Sequence, residues 1–226
     1  MRFLKRMNTV FYRLVFSYFV LIIITTIFMG ATSYVYFAKS FNEEVEKVNG
    51  RMLSYVKKIT DENVFRKTER IYIDITVPQS DEQVVLSLFN RPVIGNQAAI
   101  YEVYKQLKEV VSLNSDLIHA IEIYYKNNDL IISSRRGVDF LLDATEEESY
   151  SWLQEVQQNF KDVLAWYHYD GNVALIGSYP YADASSSLGY VAVILKPSAL
   201  PELLTDTVGE ASGIMMIVEP QGIVSA

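Results

Sequence analysis

Trp152, Trp166, Tyr179, Tyr181, Asp183 and Arg135 are the side chains of this sequence whose types suit the capture of a small molecule. The four aromatics offer stacking faces. Tyr179 and Tyr181 lie two apart on an expected strand and so share one side of it. Asp183, with Arg135 or its neighbour Arg136, supplies the charge that orients a polar ligand. Each aromatic also has a plainer role, which is to fill a core. No catalytic constellation accompanies them. The histidines, His119 and His168, sit in no zinc-binding pattern, cysteine is absent, and neither a G-x-S-x-G elbow nor a P-loop occurs. The run Glu146-Glu147-Glu148 fits the start of a helix, where carboxylates favour the dipole. The expectation is a non-enzymatic chain with no catalytic residue, no metal ligand and no cofactor.

Such a site needs a scaffold, and the scaffold is charged unevenly. The chain of 226 residues carries -7 overall, while residues 1–38 hold Arg2, Lys5, Arg6 and Arg13 and no acid, which leaves -11 for the rest. An acidic domain repels phosphate backbones, so this part is not expected to bind nucleic acid. Residues 14–38 contain no charge. As a helix they rise about 37 Å, enough to cross a hydrocarbon core of roughly 30 Å with tilt. Ser17, Thr25 and Thr26 can satisfy their hydroxyls on the preceding turn. The run is too long and too apolar on all sides for a cleaved signal peptide or a buried core helix. Basic residues before it and Glu43, Glu44 and Glu46 after it place the N-terminus in the cytoplasm and the remainder outside. A single-pass protein of the cell membrane follows.

Beyond the span, Phe41, Val45, Val48, Met52, Tyr55 and Ile59 recur at spacing 4-3-4-3-4, a heptad seam on a charged stalk helix. The seam either packs on the chain's own sheet or pairs with a second copy as a homodimer. Helices are expected at residues 81–89, 97–112 and 146–159. Alternating apolar residues at 120–125 and 130–134 flank the turn cluster Lys126-Asn127-Asn128-Asp129 and predict a hairpin. A second hairpin, 163–169 with 173–181, turns at Asp170-Gly171-Asn172. Residues 189–195 form a further strand. The order implies an α+β domain with a roughly five-stranded antiparallel sheet flanked by helices. A helix at 198–207 and strands at 213–218 and 222–225 then read as the truncated start of a second such domain. The divisions are a basic tail at 1–13, the span at 14–38, the stalk at 39–70, the α+β domain at 71–200 and the incomplete domain at 201–226.

Stretches such as FYRLVFSYFVLIIITTIFMGATSYVYF, FNEEVEKVNGRML, IHAIEIYYKNNDLIISS, GSYPYADASSSLGYVAVILKPSAL and GIMMIVEPQGIVSA together resemble the double Cache, PAS-like extracytoplasmic regions of Gram-positive bacterial receptors. The resemblance implies a ligand-sensing region. It would pass the signal of a small molecule, a sugar or another solute, through the membrane helix to an output domain outside these residues. A membrane-bound AraC-type regulator is favoured as that output and a histidine kinase comes next. Tyr150-Ser151-Trp152 lacks the arginine and second tyrosine of the run found in amino-acid-binding Cache domains. The alternative from a different class is a ligand-free, membrane-anchored envelope interaction protein.

Overall fold

A computed structural model describes residues 10–77, 84–90, 95–141, 150, 152–154, 156, 163–169, 171–180, 186–208, 217–219 and 222–225. The chain divides into two compact units, Met1–Tyr55 and Val56–Ala226.

The first unit is dominated by helix α1, Val10–Thr60. Among the described residues a single helix, Tyr12–Thr76, is long and apolar enough to cross a membrane. The side chains of its apolar stretch, residues 14–37, with Ile24 and Phe28 among them, are exposed, which is compatible with a lipid-facing helix. The Thr25 and Thr26 hydroxyls donate to the carbonyls of Leu21 and Ile22 at 3.0 and 2.8 Å, so neither leaves a bare polar group. The seam residues Phe41, Val45, Val48 and Tyr55 are exposed in the single chain.

In the second unit the helix does not end where the charged stalk was expected to. A π segment, Asp61–Phe65, joins α1 to α2, Arg66–Thr76. The burial pattern accounts for the wider turn. Val56, Thr60, Val64 and Thr68 are all buried at steps of four. Each such step overshoots an α-helical turn by about 40°. A looser turn absorbs the excess and keeps one face inward. Helices α3, Val84–Asn90, and α4, Gln97–Leu113, complete this layer.

Among the described residues the sheet has six antiparallel strands rather than five: β1 Ile118–Tyr125, β2 Leu130–Ser133, β3 Gly137–Phe140, β4 Leu164–Tyr169, β5 Asn172–Tyr179 and β6 Gly189–Leu195. Their order is β3-β2-β1-β6-β5-β4. The extra strand, β3, is only four residues long and follows a turn at Arg135-Arg136. So short a strand gives too few alternations to be seen in sequence. Leu88, Phe89, Val103 and Leu107 pack on Ile121, Ile123, Tyr125 and Leu130 on one face. On the other, Tyr150, Trp152, Leu153 and Val156 cover Ala120, Tyr124, Ile131, Ile176 and Ile194. Because both faces are covered, the central strands read as continuous apolar runs such as Val191–Leu195. Helix α5, Ala199–Val208, follows, and β7, Ile217–Glu219, pairs with β8, Gly222–Ser225, as a separate two-stranded sheet.

Candidate functional site

The residues expected to gather around a ligand are distributed over both sheet faces. Trp152 is 2 % exposed and lies in the layer over the second face. Its indole N–H donates to the Glu122 carboxylate at 2.6 Å. Trp166, on β4, belongs to the opposite face and stands edge-on to Phe65, 4.9 Å between ring centres. Tyr179, at the end of β5, stacks on Phe89 at 4.3 Å on that same face. Trp166 pairs with Leu175 in register. Tyr179 is four residues further along the strand, roughly 14 Å away. Arg135 is exposed in the β2–β3 turn and bonds the His119 ring, whose Nε2 must then accept. Burial, and secondarily the Arg135 charge, hold the His119 pKa below its ordinary value. Tyr181, Asp183 and the run Glu146-Glu147-Glu148 lie outside the described residues.

Two arrangements emerge instead. One is a buried polar cluster on the second face. Glu122, 5 % exposed in mid-strand, accepts from Trp152 and from the Ser133 hydroxyl at 3.0 Å. Burial pushes its carboxyl pKa up, against the pull of those hydrogen bonds and of the Arg136 charge. Around it, the Tyr150 hydroxyl donates to Asp139, and the Arg136 guanidinium lies 4.9 Å from the Tyr150 ring centre. The cluster ties the covering segment to β1, β2 and β3 through its polar atoms.

The other is an open cleft of about 1060 Å³ between the N-terminal half of α4 and the edge strand β3. Tyr101 and Tyr104 form the helix wall, and Val138 and Phe140 the strand wall. The β1–β2 turn, Lys126 to Asp129, closes one end. That turn is held firmly. The Lys126 and Asn128 N–H groups donate to Leu188 O and Tyr125 O at 3.0 and 3.2 Å, and the Leu141 N–H to Asp129 O at 2.9 Å. The Asn128 side-chain amide donates to Leu88 O at 3.3 Å and the Tyr124 hydroxyl to Asp129 Oδ1 at 3.0 Å. Burial and the Asp129 carboxylate push the Tyr124 phenol up to about 12. Asp129 itself takes a positive φ of 48°, a region its short polar side chain tolerates.

Sequence reasoning missed both arrangements. Glu122 alternates with Ile121 and Ile123 and reads as the solvent side of a half-buried strand. Tyr101 falls one position off the apolar face of α4, and that misplacement of an aromatic was the available signal. Among the described residues no group of three or more potential metal ligands occurs. Comparison of the chain with protein-family models, curated proteins and solved structures yields no match.

Proposed function

We propose that this chain is the membrane-anchored sensory region of a bacterial receptor of the double Cache kind, single-pass over these residues. Its N-terminus lies in the cytoplasm and its α+β domain outside. The observation that carries the reading is helical continuity. The backbone is helical from the apolar span through the π segment into α2. On α2, Tyr72 and Ile75 are buried in the sheet's core, and the Tyr72 hydroxyl donates to Ser178 O of β5 at 3.0 Å. A small molecule that shifts the sheet therefore acts on the same helical stretch that enters the membrane. The basic flank of the span supports the orientation. The signal passes to an output domain outside these residues, an AraC-type regulator first and a histidine kinase second. A homodimer through the exposed stalk seam would present the span in pairs.

A second reading, a ligand-free envelope interaction protein, takes support from Trp152, Trp166 and Tyr179, whose rings are all engaged in packing. One experiment separates the two. A two-residue insertion between Asn42 and Glu43 in the complete receptor rotates everything beyond it by about 200°, whereas seven residues add about 700° and nearly restore the seam. A transmitting helix is locked or inverted by the first and largely spared by the second. Equal output from both insertions, at normal expression, contradicts transmission and favours the ligand-free protein.

A further inference from the structure

We propose that the cleft between α4 and β3 is a saccharide site that takes a neutral oligosaccharide between its aromatic walls. This deepens the receptor reading by naming a ligand class, and it rests on that reading only for the side of the membrane on which the ligand is met.

The walls carry aromatic rings that folding leaves in water. Tyr101 is 66 % exposed and Phe140 is 45 % exposed. The C–H face of a pyranose ring is apolar and faintly positive, and it stacks on the negative face of an aromatic ring. The closed end supplies the polar half of the recognition. Among the described residues the Lys126 ammonium, the Asn127 Nδ2 amide, the Gln97 side chain and Asp129 Oδ2 make no hydrogen bond. Sugar hydroxyls both donate and accept, so a vicinal pair can bridge the Asp129 carboxylate and an amide N–H at once. The turn bearing these groups is fixed by the backbone and side-chain bonds described above, so little order remains to be imposed on binding.

Charge narrows the class further. Lys126 and Asp129 offset one another within the cleft, and the chain beyond residue 38 carries -11. A phosphate or a polyanion would be repelled. An extended peptide could instead add to β3, which is an edge strand. That strand offers only four residues, however, and such pairing leaves the amides and carboxylate of the turn without a role.

The test uses the full chain in lipid nanodiscs, free of glycoside detergents. Cellotetraose, maltotetraose, xylotetraose, tetra-N-acetylchitotetraose and an alternating Val-Thr hexapeptide are titrated by calorimetry. At least one tetrasaccharide is expected to bind with a Kd of about 1 mM or tighter. Tyr101→Ala and Asn127→Ala should each weaken it about tenfold or more without changing the melting temperature. Leu113→Ala, at the far end of α4 and 76 % exposed, should leave it unchanged. The proposal is overturned if no tetrasaccharide binds, if only the hexapeptide binds, or if both cleft variants bind as the parent does. Binding is read on the purified chain alone. A negative result leaves the membrane reading standing, and a failed topology leaves measured binding standing.

Discussion

Glu122 shows how one residue can change what a strand means. Its carboxylate lies on the second face of the sheet, beneath the covering layer, and accepts from the Trp152 indole and the Ser133 hydroxyl. Because burial raises its pKa above the ordinary value of 4.5, the folded state binds its proton more tightly than the unfolded chain does. The stability it contributes is therefore fully present below pH 4.5 and is lost as the pH rises through the raised folded value. Glu122→Gln keeps an acceptor for the indole and removes the charge. The melting temperature of the parent relative to this variant should fall as the pH rises from 4.5 toward neutrality; parallel profiles would contradict the assignment. Glu122→Ala is expected to be worse at every pH, because it strands a buried indole N–H at a cost of about 1–3 kcal/mol. None of this was legible in the sequence. The alternation Ala120-Ile121-Glu122-Ile123 also describes a strand with one wet face, and only the covering segment from Tyr150 to Val156 decides otherwise.

At the scale of elements, strands and helices with strong periodicity were legible. Strand β6 occupies the residues its apolar run marks, and α4 ends within one residue of its expected boundary. The π segment and β3 were not legible, since each is a short departure settled by packing against neighbours. Close approach explains two glycines in the same terms. A Cβ at Gly177 would fall 2.3 Å from the Tyr72 ring, and one at Gly189 would fall 2.0 Å from the Tyr124 carbonyl oxygen. The first neighbour is a side chain that can shift, and the second is backbone that cannot. Gly177→Ala should therefore cost about 1–3 kcal/mol by overpacking and displace α2 from β5, whereas Gly189→Ala should disrupt the β1–β6 pairing and cost more. Chemical denaturation checks the order. A Gly189→Ala variant as stable as the parent would show that the two strands do not approach as described.

For the whole molecule, the α+β fold and the long apolar N-terminal helix were legible because they rest on long patterns: an uncharged run, a charged helix and alternating strands. The cleft proposed as a ligand site was not, and Trp152, Trp166 and Tyr179 have the composition of a binding site but the surroundings of a core. The exposed rings of the α4–β3 cleft come together only through the fold, from residues some forty apart in sequence. The account stands or falls on the domain being anchored outside the membrane by its N-terminal helix. The absence of cysteine from these 226 residues allows a clean measurement on this stretch, because an introduced thiol is the only one within it. Leu113→Cys places it on a 76 % exposed position of the second unit, and Asn8→Cys places it before the span. Intact cells are treated with a membrane-impermeant maleimide, and a second sample is treated after lysis. The account predicts that Leu113→Cys is labelled in intact cells and Asn8→Cys only after lysis. Labelling of Asn8→Cys in intact cells, with Leu113→Cys protected until lysis, would contradict it.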